Sequence, residues 1–329
     1  MHPVAGVGPV AVVPPSGLWG AWTFDPLVVA GLGAAAALYA RGWAKLARAR
    51  GAPQGGGSKP RGAPQGAGSK RPHRLVRRRQ AVSFFAGLAV LAAALVSPVD
   101  ALAGTLLSVH MLQHLLILMV APPLLVYGRP GLVMFLGLPS SSRSGPGALA
   151  ARRGLRQAGK VVLNPLVVLV ATVAALWGWH LPGPYQAAIT HPALHAMEHL
   201  TFLVSALAFW SLVIDAAPRR RLGYGPAIFL VFVTMLAGAA LGALITFSST
   251  ALYPIYGAGA HLWGTTPLAD QQVAGAIMWI PPGAVYFLTV IFLALRWFED
   301  VDRKVRAAEA AAGPFLGAAG ASSSGGSPA

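Results

Sequence analysis

Residues 192–214 read PALHAMEHLTFLVSALAFWSLVI, and they contain neither Lys nor Arg. A helix of about 20 mostly apolar residues is long enough to cross the hydrocarbon core of a bilayer. The stretch therefore predicts a membrane-spanning helix. One residue departs from the apolar pattern. Glu198 is ionisable, and an ionisable side chain inside a membrane is costly and marks a functional site by default.

Six further stretches of similar length and composition lie on either side of this one. The sequence predicts seven spans in all, over residues 25–48, 81–100, 104–127, 161–180, 192–214, 224–247 and 271–298. The chain is 55% hydrophobic and only 10% charged, whereas an ordinary soluble domain carries about 25% charged residues. We therefore expect an all-α, polytopic integral membrane protein that folds as a seven-helix transmembrane bundle.

The 25 Lys and Arg residues lie in four groups, at residues 41–79, 129–160, 219–221 and 296–306. Basic segments stay on the cytoplasmic side of a membrane, so the N-terminus is predicted outside and the C-terminus in the cytoplasm of a multi-pass cell-membrane protein. A net charge of +16 would suggest nucleic acid in a soluble protein. Here the basic residues flank apolar runs, so we expect them to contact anionic membrane lipids and not nucleic acid.

The chain divides into a membrane domain and three polar segments. Residues 1–23 are expected to form an external N-terminal segment, and residues 24–300 the membrane domain. A tandem duplication, RGAPQGGGSK at 50–59 and RGAPQGAGSK at 61–70, lacks an apolar face and predicts a flexible basic cytoplasmic linker over residues 49–79. Residues 301–329 are predicted to form a cytoplasmic, largely disordered tail.

Histidines, in contrast, gather away from the basic groups. The chain has no cysteine, which excludes disulfides and thiolate metal sites. Eight of the nine histidines fall on or near the side opposite the basic groups, namely His2, His110, His114, His180, His191, His195, His199 and His261. Neutral imidazoles concentrated at one membrane face indicate a site for a metal ion or for haem.

Histidines recur at one-turn spacing in the third and fifth spans. His110 and His114 are four residues apart, so they share one face of a helix. The same holds for His195 and His199, and Glu198 lies beside them. Two imidazoles at this spacing either chelate one ion or hydrogen bond to neighbouring helices. Glu198 requires a histidine, a metal ion or water as its partner.

Further polar and thioether side chains are predicted near the same face. His180 ends the fourth span, as an interface residue or as a ligand. Asp270 precedes the seventh span, where it either caps the helix or faces the cluster together with Gln271. Met111 and Met278 carry thioethers that suit Cu(I), although methionines in apolar helices usually serve packing. Imidazole, carboxylate and thioether donors without thiolate favour copper, then zinc or iron.

Four segments of the chain resemble one known family. They are HMLQHLLILMVAPPLLVYGRP at 110–130, WGWHLPGPYQAAITHPALHAMEHLTFL at 177–203, LGALITFSSTALYPIY at 241–256 and PLADQQVAGAIMWIPPG at 267–283. In this order they resemble the CtaG-type family of membrane proteins, which is associated with assembly of caa3-type cytochrome c oxidase. The likeness spans roughly residues 18–300, judged from the order of its motif blocks.

The resemblance implies a seven-helix membrane protein that is needed to make active oxidase. It also implies delivery or insertion of copper, with cytochrome c oxidase subunits as partners. The metal ligands that we expect are His110, His114, His195 and His199, with His180, Met111 and Glu198 as further members of the site. The supporting residues that we expect are Gln113, Asp270, Gln271 and Met278.

Two other functions remain open at this stage. A haem-binding protein would use one histidine from the third span and one from the fifth as axial ligands. A copper or proton transporter requires polar residues through the whole membrane, whereas the inner halves of the third, fifth and seventh spans are almost wholly apolar. We do not expect an enzyme, because no nucleophile or base beyond Glu198 stands in a catalytic pattern.

Overall fold

The computed structural model describes residues 12–51, 77–139, 159–215 and 222–321, together with the isolated residues Gly154 and Gln157. Within this described part every regular element is helical, which confirms the all-α prediction. The helices are α1 Pro26–Gly51, α2 Arg78–Leu95, α3 Pro98–Ala103, α4 Leu107–Leu115, α5 Ala121–Tyr127, α6 Pro130–Gly137, α7 Pro165–His180, α8 Pro182–Thr190, α9 Pro192–Ile214, α10 Tyr224–Thr246, α11 Gly257–Leu262 and α12 Pro267–Ala321. A π-helical turn, Leu116–Val120, joins α4 to α5.

Six segments of the described chain are long and apolar enough to cross a bilayer. A seventh is obtained if α7 and α8 count as one broken span, because these helices meet at an angle of 76°. By itself α7 has 16 residues, or about 24 Å at 1.5 Å per residue, which is short of the roughly 30 Å hydrocarbon core. The fifth predicted span has the bounds of α9, whereas the second ends at Leu95, five residues earlier than predicted.

Proline sets the start of several helices. Pro165, Pro182, Pro192 and Pro267 each open a helix, where the missing N–H costs nothing because the first N–H groups of a helix have no internal partner. The fourth span consequently begins at Pro165 rather than at residue 161. The side chain of Asn164 caps it by accepting the N–H groups of Leu166 and Val167.

The third predicted span is not the continuous α-helix that the apolar run suggests. Its π-helical turn stands just before Pro122 and Pro123. Proline offers no N–H to the carbonyl one turn earlier, so the carbonyl of Leu118 lacks its usual helical donor. The indole of Trp210, on α9, donates to that carbonyl at 3.0 Å instead. The break is therefore stabilised by a neighbouring helix rather than left as a defect.

The C-terminal tail is a second departure from prediction. The sequence predicts a largely disordered segment over residues 301–329, whereas α12 continues as a helix to Ala321. Ion pairs one turn apart join Lys304 to Asp300 at 2.8 Å and Arg306 to Asp302 at 2.7 Å. An alanine-rich run follows these pairs, and alanine has the highest helix propensity. Residues 322–329, like 1–11 and most of the predicted linker (52–76), lie outside the described residues.

Helix α9 lies within the bundle, in contact with α5, α7 and α8, while α12 packs along α10 and against α4. Exposed Leu, Val and Phe side chains cover the outward faces of α7, α10 and α12, as expected for helices that face lipid. Helices α4, α9 and α12 begin at the same end of the bundle, where α7 ends. This arrangement carries the polar side chains of four separate segments to one end.

Asp270 joins two of these segments. It lies in the first turn of α12, but its carboxylate accepts the backbone N–H groups of Leu107 at 2.7 Å and of Ser108 at 3.3 Å, at the start of α4. It also accepts the hydroxyl of Ser108. The side chain is buried. Asp270 therefore caps the neighbouring helix and fixes the height at which α4 begins relative to α12.

Replacing Asp270 with Ala should destabilise the protein by about 1–2 kcal/mol, because the buried N–H of Leu107 loses its acceptor and α4 loses its cap. The measurement is thermal unfolding of the purified protein in detergent. Asp302→Ala is the matched control, because this carboxylate pairs only with Arg306 on an exposed surface and such pairs contribute little. Equal loss of stability in the two variants would contradict the capping role.

Candidate metal centre

Five imidazoles and one carboxylate meet at the end of the bundle where α4 and α9 begin. His110 and His114 lie on consecutive turns of α4, His195 and His199 on consecutive turns of α9, and His180 is the last residue of α7. Ring centroids are 5.3 Å apart for His110 and His195, 5.5 Å for His114 and His199, and 5.7 Å for His114 and His180. We call these five residues and Glu198 the histidine–glutamate cluster.

Two overlapping sets within this cluster have the spacing of metal ligands. One ligand atom from each of His110, His195 and His199 lies within 4.8 Å of the other two, and the same holds for His110, His114 and Glu198. An ion bound at about 2 Å by each donor requires donors within roughly 4 Å of each other. Small side-chain rotations therefore bring either set around one ion, with His110 shared.

Four residues of the cluster are buried, and His195 and His199 are half-buried. Many of its polar atoms are nevertheless shielded from solvent without a hydrogen-bond partner among the described residues. These atoms are His114 Nδ1, the Nε2 atoms of His180, His195 and His199, and both carboxylate oxygens of Glu198. Glu198 Oε1 lies 3.6 Å from His114 Nε2. A buried polar atom left unpaired costs about 1–3 kcal/mol. Several unpaired atoms in one place therefore indicate a site built for a bound cation or for water. The residues present thus fit a metal ion.

Tyr256 orients His110. Its hydroxyl donates to the carbonyl of Ala103 at 3.2 Å, so its oxygen accepts from Tyr185 and from His110 Nδ1, each at 2.9 Å. His110 then carries its proton on Nδ1, and its unprotonated Nε2 accepts the N–H of His114 Nε2 at 2.8 Å. A histidine that donates through one nitrogen and presents the other unprotonated is prepared for a metal ion.

His180 is prepared in the same way. Its Nδ1 donates to the carbonyl of Leu176 at 2.7 Å, which leaves Nε2 unprotonated and free. The hydroxyl of Tyr253, in the loop between α10 and α12, donates to the carbonyl of His180 at 2.6 Å. Burial raises the pKa of the Tyr253 and Tyr256 hydroxyls above the usual value. Both tyrosines therefore remain hydrogen-bond donors at neutral pH.

Three of the predicted supporting residues bond to neighbouring backbone and side chains rather than to the cluster. Gln113 turns away from it and donates to the carbonyl of Ala94 at 2.8 Å and to Asp100 at 2.7 Å. Gln271 bonds to the loop that follows α10, accepting the N–H of Leu252 at 2.6 Å. Asp270 caps α4, as described above. The sequence predicts a cap on the helix that Asp270 itself begins, whereas the carboxylate caps α4.

The remaining histidines and methionines divide between the site and the surface. Met111 and Met278 line a cavity beside His114 and His180. His191 and His261 are exposed, while His2 and His73 lie outside the described residues. His191 bonds to Thr190 and to the carbonyl of Ala187 rather than to the cluster.

Sequence reasoning missed the tyrosines. Tyr185 and Tyr256 are fully buried, with 0% and 2% of their surfaces exposed, and they bond to His110 directly or through one another. Both stand in segments that lack Lys and Arg and that belong to the motif blocks of the family resemblance. A tyrosine in such a segment could have been predicted to bond to the site, because the hydroxyl of a buried tyrosine normally has a hydrogen-bond partner.

Comparison with known proteins agrees with the resemblance. A family model described as "Cytochrome c oxidase caa3 assembly factor (Caa3_CtaG)" matches residues 65–300. Uncharacterized proteins of Mycobacterium bovis and Mycobacterium tuberculosis are each 28% identical over 236 residues, covering 69% of this chain and 35% of theirs. An uncharacterized protein of Mycobacterium leprae is 26% identical over 231 residues, covering 68% and 34%. The chain spans about a third of the length of these relatives, and no solved structure matches it.

Replacing Tyr256 with Phe should cost about 2–3 kcal/mol, because three buried groups lose their partner at once. Tyr185→Phe is the matched control. It removes only the bond between the two hydroxyls and should cost about 1 kcal/mol. Thermal unfolding of both variants in detergent measures the difference. An effect of Tyr256→Phe no larger than that of Tyr185→Phe would contradict the assigned network.

Proposed function

The chain belongs to the cytochrome c oxidase caa3 assembly factor family, and from that premise we propose that it holds copper for the oxidase during assembly. The histidine–glutamate cluster is the proposed holding site. The observation that carries the proposal is the set of buried ring nitrogens and carboxylate oxygens, from three helices, that face one another without hydrogen-bond partners among the described residues.

The donor set favours copper among the common metals. Imidazole suits copper, zinc and iron alike, whereas thioethers suit Cu(I), and Met111 and Met278 border the cluster. The chain contains no cysteine, so no thiolate binds the ion. Ligands of this kind hold copper less tenaciously than thiolates do, which suits a protein that must pass its metal to another.

Each residue of the cluster has a distinct task in this proposal. His110, His195 and His199 bind the ion, with His114 and His180 as further ligands. Glu198, which has 0% of its surface exposed, offsets the positive charge of the ion inside the bundle. The Tyr256 hydroxyl and the Leu176 carbonyl hold the protons of His110 and His180 away from the ion. No bond in a substrate is made or broken, so the proposed role is not enzymatic.

The charge pattern supplies the proposed orientation. The basic groups of the sequence place the cytoplasm at the end of the bundle opposite the cluster, so the cluster faces the outer side of the cell membrane. Oxidase subunits are the proposed partners, and they would receive copper from that side. Anionic lipids are proposed to contact the basic residues at the opposite end.

Haem ligation is not favoured by the arrangement of the rings. His110 and His195, one from each of the two spans, have ring centroids 5.3 Å apart. The rings of His114 and His199 crowd this pair, at 4.3 Å from His110 and 4.1 Å from His195. Two axial ligands of haem instead flank a wide planar slot. An optical spectrum of the purified protein tests this alternative, because a Soret band would indicate haem rather than copper.

We expect the purified protein to bind about one copper ion at the cluster, and a His110→Ala/His199→Ala variant to bind it at least about 100-fold more weakly. That loss exceeds the 10–100-fold expected when only an orienting residue is removed. Competition with a copper chelator and elemental analysis measure the affinity and the amount bound.

The matched control is His191→Ala. His191 lies one turn before His195, is exposed and takes no part in the cluster. It should bind copper as the unmodified protein does. Thermal unfolding shows whether the double variant is folded. A folded double variant that binds copper as tightly as the control would refute the proposed site.

A further inference from the structure

A small cavity adjoins the cluster on its inner side. It has a volume of about 70 Å³ and lies between α4, α7, α10 and α12, beside His114 and His180. One water molecule requires about 10–15 Å³ on this measure, so the space admits several waters or an ion with its ligands. We call it the methionine cavity, because the thioethers of Met111, Met119 and Met278 line it.

The three methionines come from three different segments. Met111 lies on α4, Met119 in the π-helical turn and Met278 on α12. Half of the six methionines among the described residues thus line one small cavity. Met111 and Met119 have 1% and 6% of their surfaces exposed, so neither faces lipid.

The π-helical turn brings Met119 onto the face of Met111. In an α-helix each residue turns about 100°, so residues eight apart point about 80° away from each other. A π-helical turn accommodates one extra residue, which reduces the rotation by about 100° and returns Met119 to within about 20° of Met111. The break at Pro122 therefore has a consequence for the site. π-helical turns of this kind occur frequently at functional sites.

Unpaired polar atoms border the same cavity. Thr172 Oγ1, His180 Nε2 and His114 Nδ1 are buried and have no hydrogen-bond partner among the described residues. Their side chains belong to residues with 9%, 3% and 3% of their surfaces exposed. Such atoms indicate an occupant, because a purely apolar void would leave them with nothing to bond.

We propose that the methionine cavity is a second metal position, selective for a soft monovalent cation, namely copper(I). Met111, Met119 and Met278 are its thioether ligands. His180 has one available nitrogen, Nε2, and this atom binds the cavity ion rather than the cluster ion when both positions are filled. Thioethers select Cu(I) over harder cations. The inference rests on the proposed function. It adds to the copper-holding cluster a second, inner position that prefers copper(I).

The test uses the full-length protein in detergent, loaded anaerobically with copper(I). Competition with a copper(I)-specific colorimetric chelator counts the ions, and X-ray absorption at the copper edge distinguishes sulfur from nitrogen ligands. We expect two copper(I) ions per chain and a clear sulfur contribution. A Met111→Leu/Met119→Leu/Met278→Leu variant should bind one ion and lose the sulfur contribution. Leu and Met have similar volumes, so the variant is expected to fold.

The control variant, Met134→Leu/Met197→Leu, changes methionines that do not line the cavity and should keep both ions. Two ions in the folded triple variant, or no sulfur contribution in the unmodified protein, would overturn the inference and leave water as the occupant. The His110→Ala/His199→Ala variant separates the two proposals. If this variant loses one ion and keeps the sulfur contribution, both proposals stand. If it keeps as many ions as the unmodified protein and the sulfur contribution persists, the proposed function fails and the cavity assignment stands.

Discussion

The position of α4 against its neighbours is the constraint on which the site depends. Asp270 of α12 fixes the first turn of α4 by accepting its N–H groups, and Trp210 of α9 fixes the π-helical turn that follows α4 by donating to Leu118. Between these two attachments lie His110, His114 and Met111. The bond from Leu107 to Asp270 is buried and the bond from Trp210 to Leu118 is partly buried. Sliding or rotating α4 would therefore leave unpaired groups inside an apolar bundle, where their cost is high.

The same attachments explain why the cluster can keep unpaired atoms. Atoms such as His199 Nε2 and the Glu198 oxygens would collapse onto other partners if the helices were free to adjust. Tyr256 bonds to Ala103, His110 and Tyr185 at once, and it thereby holds the backbone before α4 together with the first imidazole. The lone pairs are directed inward by a surrounding frame, which is the arrangement expected of a prepared ligand set.

Much of this architecture follows from the sequence. Hydropathy located the spans, α9 to the residue, and the spacing of His195 and His199 placed both on one helical face.

The sequence could not show that α4, α7 and α9 are neighbours, because hydropathy reports how deep a residue lies and not which helix it contacts. The π-helical turn was missed for a similar reason. Pro122 predicts an interruption of the α-helix, but the geometry of that interruption depends on Trp210, which is 88 residues away in the sequence. Tyr256 also lies outside any span, where an apolar pattern carries no information. The helix continues to Ala321 through an alanine-rich run, AAEAAA at 307–312, whose helix propensity is high.

The account has one central claim, that the histidine–glutamate cluster is what the oxidase requires from this protein. The most direct test is oxidase activity in a strain that makes a caa3-type oxidase and lacks this gene, complemented with variants present at equal amounts in the membrane. The unmodified protein and His191→Ala should restore activity, and His110→Ala/His199→Ala should not. Full restoration by the double variant, without added copper, would contradict the claim.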